Sequence, residues 1–145
     1  MIDPNFAILK PVVVLIAWTL VMLVWLIATR LPAMRAAGVD LGKLIGGKGT
    51  DADGVLSARA QWKAHNHNHL LEQPTLFYAV TLVLVVIGQG GGVNATIAWA
   101  YVTLRILHSL VQALWNRVAV RFTLFMLATL ALVALTLHAG MALFA

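Results

Sequence analysis

The chain contains no cysteine. That excludes a disulfide framework, every thiolate metal site and every cysteine nucleophile. Charge is scarce as well: Asp, Glu, Lys and Arg make up 10% of the 145 residues, where soluble domains carry about 25%. A water-facing surface cannot be built from so few charges unless lipid covers much of it. A disordered chain is excluded, because hydrophobic residues reach 61% and disorder requires the opposite balance. The net charge of +5 does not describe a nucleic-acid binder, since the basic residues are few and lie beside long apolar runs. No nucleic-acid partner is expected. What remains, at the length of one ordinary domain, is an integral membrane protein in contact with lipid.

Four apolar stretches follow along the chain. Pro11 to Thr29, PVVVLIAWTLVMLVWLIAT, is stopped by Arg30 and has the roughly 20 apolar residues that a membrane-spanning helix needs. It is longer than the apolar core of a secretory leader, and no basic segment or small-residue cleavage site frames it. The second stretch, Pro74 to Ile87, is short alone, so its helix is predicted to begin near Ser57 as N-cap, with an amphipathic first half. GQGGG at residues 88–92 ends it in a tight turn. Residues 93–145 hold no proline and one glycine. A single helix over them would be roughly 80 Å long, against a hydrocarbon core of about 30 Å. The chain must turn back, and Trp115-Asn116-Arg117 is the polar place for it. The expected organisation is one all-α, four-helix transmembrane domain over 1–145, with helices at about 6–30, 57–88, 93–115 and 118–144 and one sizeable loop at about 31–56.

That loop and its flanks carry Arg30, Arg35, Lys43, Lys48, Arg59 and Lys63, six of the ten basic residues. The loop between the second and third helices has none, and Arg117 and Arg121 sit at the third connection. Basic residues favour the cytoplasmic side. The loop is therefore expected in the cytoplasm and both termini outside, with Lys10 a mild exception. The Ala/Val/Leu-rich style fits a bacterial inner membrane.

An ionisable residue inside a membrane is a functional candidate by default. On the second helix His65, His69 and Glu72 stand at i, i+4 and i+7 with Asn68 adjoining, which makes one polar stripe. On the third, Arg105, His108 and Gln112 stand at i, i+3 and i+7 and make another. Arg105 lies inside an apolar run and needs an anionic partner; Glu72 is nearest in depth, and a buried carboxylate–guanidinium pair would satisfy both. Arg121 lies one turn into the fourth helix on the same side. One layer thus gathers an acid, two arginines, histidines and amides, which suits a ligand bearing carboxylates, while the apolar surroundings suit a lipophilic second ligand. His65, His69 and Glu72 also have zinc-like spacing. A His-Asn run near an interface is more commonly solvated or hydrogen-bonded, and no metal is expected. The five tryptophans read as belt or packing residues, and His138, near the outer end, as an interfacial residue without a partner.

At these residues, above all NHLLEQPTLFYAV over 68–80 and LRILHSLVQALWNRVAVRF over 104–122, the chain resembles the MAPEG family, the membrane-associated proteins in eicosanoid and glutathione metabolism. The resemblance covers nearly the whole chain. It implies a homotrimer with glutathione, the co-substrate, bound between neighbouring subunits near the cytoplasmic side. The family's helix-two Glu, which contacts the amino end of glutathione, matches Glu72, with Asn68 and His69 before it. Its helix-three Arg and the side chain one turn later match Arg105 and His108. Its Arg early in helix four, assigned to thiolate stabilisation, matches Arg121. The chain also departs from the family. His65 and His69 stand where many members have Arg and Asn, and Gln112 where several have Tyr. Phe122 follows Arg121 where the prostaglandin-forming member has Ser, so prostaglandin isomerisation is not expected.

The resemblance therefore implies a glutathione-binding set of Glu72, Asn68, His69, His65, Arg105, His108 and Gln112, with Arg121 catalytic. The implied activity is that of a membrane glutathione transferase or peroxidase, which activates the thiolate for attack on lipophilic electrophiles or lipid hydroperoxides. Two alternatives stand beside it: a small proton-coupled multidrug exporter using Glu72, and a catalytically inactive family member acting as a membrane scaffold.

Overall fold

The computed structural model of the chain describes residues 3–43 and 45–145. The described residues are all-helical: α1 (Leu9–Ala36), α2 (Ala58–Glu72), α3 (Pro74–Val86), α4 (Gly92–Leu114) and α5 (Val118–Phe144), with short 3₁₀ turns at Pro4–Phe6 and Gly49–Gly54. α2 and α3 together form one span. Pro74 has no N–H to donate to the preceding turn, yet Gln73 keeps helical angles (φ −58°, ψ −36°), so the chain continues in the same direction. Four units are then long and apolar enough to cross a membrane: Pro4–Ala36, Ala58–Val86, Gly92–Leu114 and Val118–Phe144.

Two details correct the sequence expectation and one, at Ser57, qualifies it. The first helix does not stop at Arg30 but runs through Pro32 to Ala36. Arg30 does not end it because its guanidinium reaches away to donate to the Gly49 carbonyl. Ser57 occupies the N-cap of α2, but its side chain makes no capping hydrogen bond. His138 has a partner after all, with its Nδ1 2.6 Å from Asn94 Oδ1.

The turns fall where breakers stand. Gly88 closes α3 at φ +74°, and Asn116 makes the α4–α5 reversal at φ +55°, a left-handed conformation that Asn tolerates better than most residues. The spans alternate in direction, so both termini and the 87–91 turn share one end of the bundle. Segments 37–57 and 115–117 share the other, here called the loop end.

At the terminal end Asn5 ties two segments together. Its Nδ2 donates to Val85 O (2.9 Å), its Oδ1 accepts from Gly90 N (2.7 Å), and Ile8 N donates to Gly90 O (3.0 Å). A Cβ at Gly90 would collide with the Asn5 backbone carbonyl. Gly90→Ala should therefore force the two segments apart and cost about 1–3 kcal/mol. A lowered thermal midpoint in detergent is the expected reading, with a smaller loss for Gly88→Asn, where the added side chain meets no atom and only the left-handed φ of +74° is strained.

α4 is the centre of the bundle. It buries Asn94, Ala98, Tyr101, Val102, Arg105, His108, Ser109, Gln112 and Ala113. α1 and α5 bury a single row each, Leu15 and Met22 on one and Ala128, Leu132, Leu135 and Ala139 on the other. Their remaining apolar side chains face outward, where lipid would solvate them. Phe77 of α3 stacks on Tyr101 at 4.4 Å between ring centroids, which fixes the α3–α4 seam beside the polar layer.

Candidate functional site

The 105/108/112 spacing on α4 does what helical periodicity requires: Arg105, His108 and Gln112 all turn inward and are buried. The reversal at Asn116 then returns the chain so that Arg121 on α5 faces the same layer. Arg121 Nη1 donates to Asn116 Oδ1, while its buried Nε has no partner. The residue that makes the turn therefore also aims the guanidinium. Asn116→Gly would keep the backbone and drop that anchor. Asn116→Ala would drop it and add a left-handed penalty of roughly 1–2 kcal/mol, so the Ala variant should show the lower thermal midpoint of the two.

Between α2, α4 and α5 lies a cleft of about 180 Å³ lined by His69, His108, Val118, Arg121, Phe122 and Phe125. The His69 and His108 rings meet edge to face at 4.9 Å. Phe125 lies across from both, at 5.5 Å and 6.4 Å. Two imidazoles, a guanidinium and two phenyl rings thus share one small opening, with the imidazoles on its α2–α4 wall and Arg121 set among Val118, Phe122 and Phe125 on its α5 wall.

Arg105 lies behind His69, off the lining of this cleft. It is fully buried. Its Nη2 donates to the His69 carbonyl at 2.8 Å and lies 3.4 Å from His69 Nδ1, whereas Nε and Nη1 are buried without a partner. Among the described residues no carboxylate pairs with it. The expected Arg105–Glu72 pair is therefore absent. Glu72 has a side chain 71% exposed, with Oε2 3.5 Å from His69 Nδ1. The cause is the rotation of α2. Its inward face is taken by Asn66, whose Nδ2 donates to Ser109 Oγ at 2.6 Å while the Trp18 indole N–H donates to the same oxygen at 3.0 Å. That tie among α1, α2 and α4 turns His65, Asn68 and Glu72 outward.

Of the expected residues, the structure brings together His69, Arg105, His108 and Arg121. Gln112 is buried on the same α4 face, its Oε1 without a partner, but it does not line the cleft. Asn66, Ser109 and Phe125 were not singled out from sequence, while Asn116 was read only as part of the turn and Trp18 only as a belt or packing residue. Ser109 is adjacent to His108, and Asn66 sits within the His-Asn run, but neither has a spacing signal of its own. Among the described residues no three His, Asp or Glu side chains are placed to hold a metal ion. A larger open groove of about 660 Å³ lies at the terminal end beside Asn94 and His138, at the opposite end from the cleft.

Compared with known proteins, residues 8–141 match the sequence model described as the MAPEG family. No curated protein and no solved structure matches the chain.

Proposed function

We propose, from the premise that this chain belongs to the MAPEG family, that it is a membrane enzyme that binds glutathione in the loop-end layer and activates its thiol. One observation carries this reading. A guanidinium that is fully buried, with two of its three nitrogens unpaired and, among the described residues, no carboxylate paired with it, is costly to hold unless an anion completes it. Glutathione brings two carboxylates. With one of them on Arg105, the cleft beside it offers Arg121 to the thiol and the phenyl rings of Phe122 and Phe125 to a lipophilic partner.

Glutathione's thiol has an ordinary pKa near 8.5, and its thiolate is the nucleophile. A nearby guanidinium favours the charged form, which is the role proposed for Arg121. In conjugation, the sulfur lone pair forms the S–C bond and the electrophile's leaving group or double-bond pair accepts the electrons. With a lipid hydroperoxide, sulfur attacks the O–O bond, a second glutathione completes the disulfide, and an alcohol and water leave.

Self-association belongs to the same proposal. His65, Asn68, Glu72 and Thr75 are exposed along one side of a membrane-spanning unit. Lipid cannot solvate such a stripe. Another copy of the chain would cover it, which fits the homotrimer expected from the resemblance and would make Glu72, Asn68 and His65 an intersubunit wall. Eight of the ten basic residues lie at the loop end, all but Lys10 and Arg105, which supports a cytoplasmic loop end.

The test is a calorimetric titration of glutathione into the detergent-purified protein, followed by a screen for thiol-dependent turnover of lipophilic electrophiles and hydroperoxides. Saturable binding at micromolar to millimolar glutathione is expected. No binding at several millimolar would sink the reading. The exporter alternative would then be measured by efflux driven by a pH gradient, since Glu72 is not neutralised by Arg105.

A further inference from the structure

One atom in this layer has two incompatible partners. His69 Nδ1 lies 3.4 Å from Arg105 Nη2 and 3.5 Å from Glu72 Oε2. A guanidinium only donates hydrogen bonds, and an ionised carboxylate only accepts them. When His69 Nδ1 carries no proton it can accept from Arg105 and has nothing to offer Glu72. When it carries a proton it can donate to Glu72 and has no lone pair for Arg105. The near-equal distances leave the choice to the proton.

The surroundings set what tips it. From α2 the imidazole is faced by Glu72, from α4 by Arg105 and His108, and from α5 by Phe125 and by Arg121, which lines the same cleft. With the site empty, two guanidiniums face His69, and Arg105 Nη2 stands as the donor to a bare Nδ1. An anion on Arg105 Nε and Nη1 would cancel the nearer of those charges. Glu72, three residues along the same helix, then holds the imidazolium.

We infer that His69 is the proton-binding member of the ligand site: it takes up one proton as an anionic ligand seats on Arg105, exchanging Arg105 for Glu72 as its hydrogen-bond partner. His69 is then a positioning residue, acting on the ligand through Arg105 and Glu72. The identity of the anion rests on the glutathione reading above, but the exchange of partners does not. The proton balance with glutathione itself follows. As the bound thiol ionises, its S–H bond breaks and the electron pair stays on sulfur. The proton released offsets the one held by His69, and net exchange with solvent falls toward zero. S-methylglutathione has no thiol proton, so its binding exposes the uptake directly.

Two measurements decide it. The first uses the ligand-free protein in detergent with ¹⁵N-labelled histidine. The neutral His69 ring should carry its hydrogen on Nε2, with Nδ1 bare, and Arg105→Gln should erase that preference. A neutral ring with its hydrogen on Nδ1 would overturn the inference whatever the ligand proves to be. The second is calorimetry with S-methylglutathione in two buffers of different ionisation enthalpy. Uptake of about one proton per site is expected, with affinity rising by up to about tenfold for each unit of falling pH across the imidazole range. In His69→Gln the heat of binding should no longer depend on the buffer, and in Glu72→Gln the dependence should shrink. Buffer-independent heat in the native chain would overturn the coupling. If neither glutathione nor its S-methyl derivative binds, the glutathione reading fails, and the ligand-free spectrum still decides the exchange.

Discussion

Arg105→Met should leave the thermal midpoint of the detergent-solubilised protein unchanged or raised while removing most of its affinity for glutathione. The two halves of this result come from the same geometry. Methionine fills much of the same volume without a charge. Replacing a buried charge by an apolar side chain is often neutral or stabilising, whereas leaving a charge without its partner is costly. Arg105 is buried with Nε and Nη1 unpaired, so the folded chain loses little when it goes. A ligand carboxylate loses two charge-assisted hydrogen bonds, each worth about 1.5–3 kcal/mol. A loss of about a hundredfold or more in affinity is the expected floor. Thermal unfolding and calorimetry on the same preparation check it. A large fall in midpoint would make Arg105 a structural residue and remove the main support for a ligand at this layer.

Arg121→Ala should act on turnover rather than binding. If the guanidinium lowers the thiol pKa by one to two units from about 8.5, the thiolate fraction at pH 7 rises by roughly tenfold or more. Its loss should lower kcat by that factor at pH 7, with KM changed by no more than about threefold. The sign of the pH dependence is fixed. The thiol's bound-site pKa is the depressed one, so the fold-advantage is largest below that value, declines between the two and vanishes above the unassisted one. The deficit of Arg121→Ala should therefore shrink as pH approaches 9, where the free thiol ionises unaided. Arg121→Lys should recover part of the rate, because a point charge remains but the hydrogen bond to Asn116 is altered. An unchanged kcat at pH 7 would reduce Arg121 to an interfacial anchor.

How much of this was legible beforehand depended on whether a feature is set locally. The four spans, the glycine turn after α3 and the reversal at Asn116 are written in apolar run length and in breakers, and, the end of α1 apart, they stand within a few residues of their expected places. The α4 stripe was legible because 105, 108 and 112 fall on one side of any helix, and α4 is central enough that this side must be inside. The facing of α2 was not. Its histidines and amides alternate almost continuously from 65 to 69, so sequence alone offers several polar faces. The hydrogen bonds from Asn66 and Trp18 to Ser109, contacts across 43 and 91 positions, choose among them. That choice separated Glu72 from Arg105 and placed it beside His69. The end of α1 was misplaced for a similar reason, since Arg30 reaches to Gly49, nineteen residues on, and need not end the helix.

The central position of α4, and the polar load it shares with α2, bears on how the chain enters a bilayer during synthesis. α1 emerges first and is apolar nearly throughout, so it can partition into lipid by itself. The α2–α3 unit follows with three histidines, two asparagines and a glutamate, and α4 with a buried arginine. Neither finds its partners until the other has been made, since Asn66 waits for Ser109 and His69 for Arg105. The nascent α2–α3 unit would therefore linger at the insertion machinery until α4 arrives. A chain truncated after α3 should be left exposed to membrane quality-control proteolysis, while the full chain, once α4 has docked, is released from it.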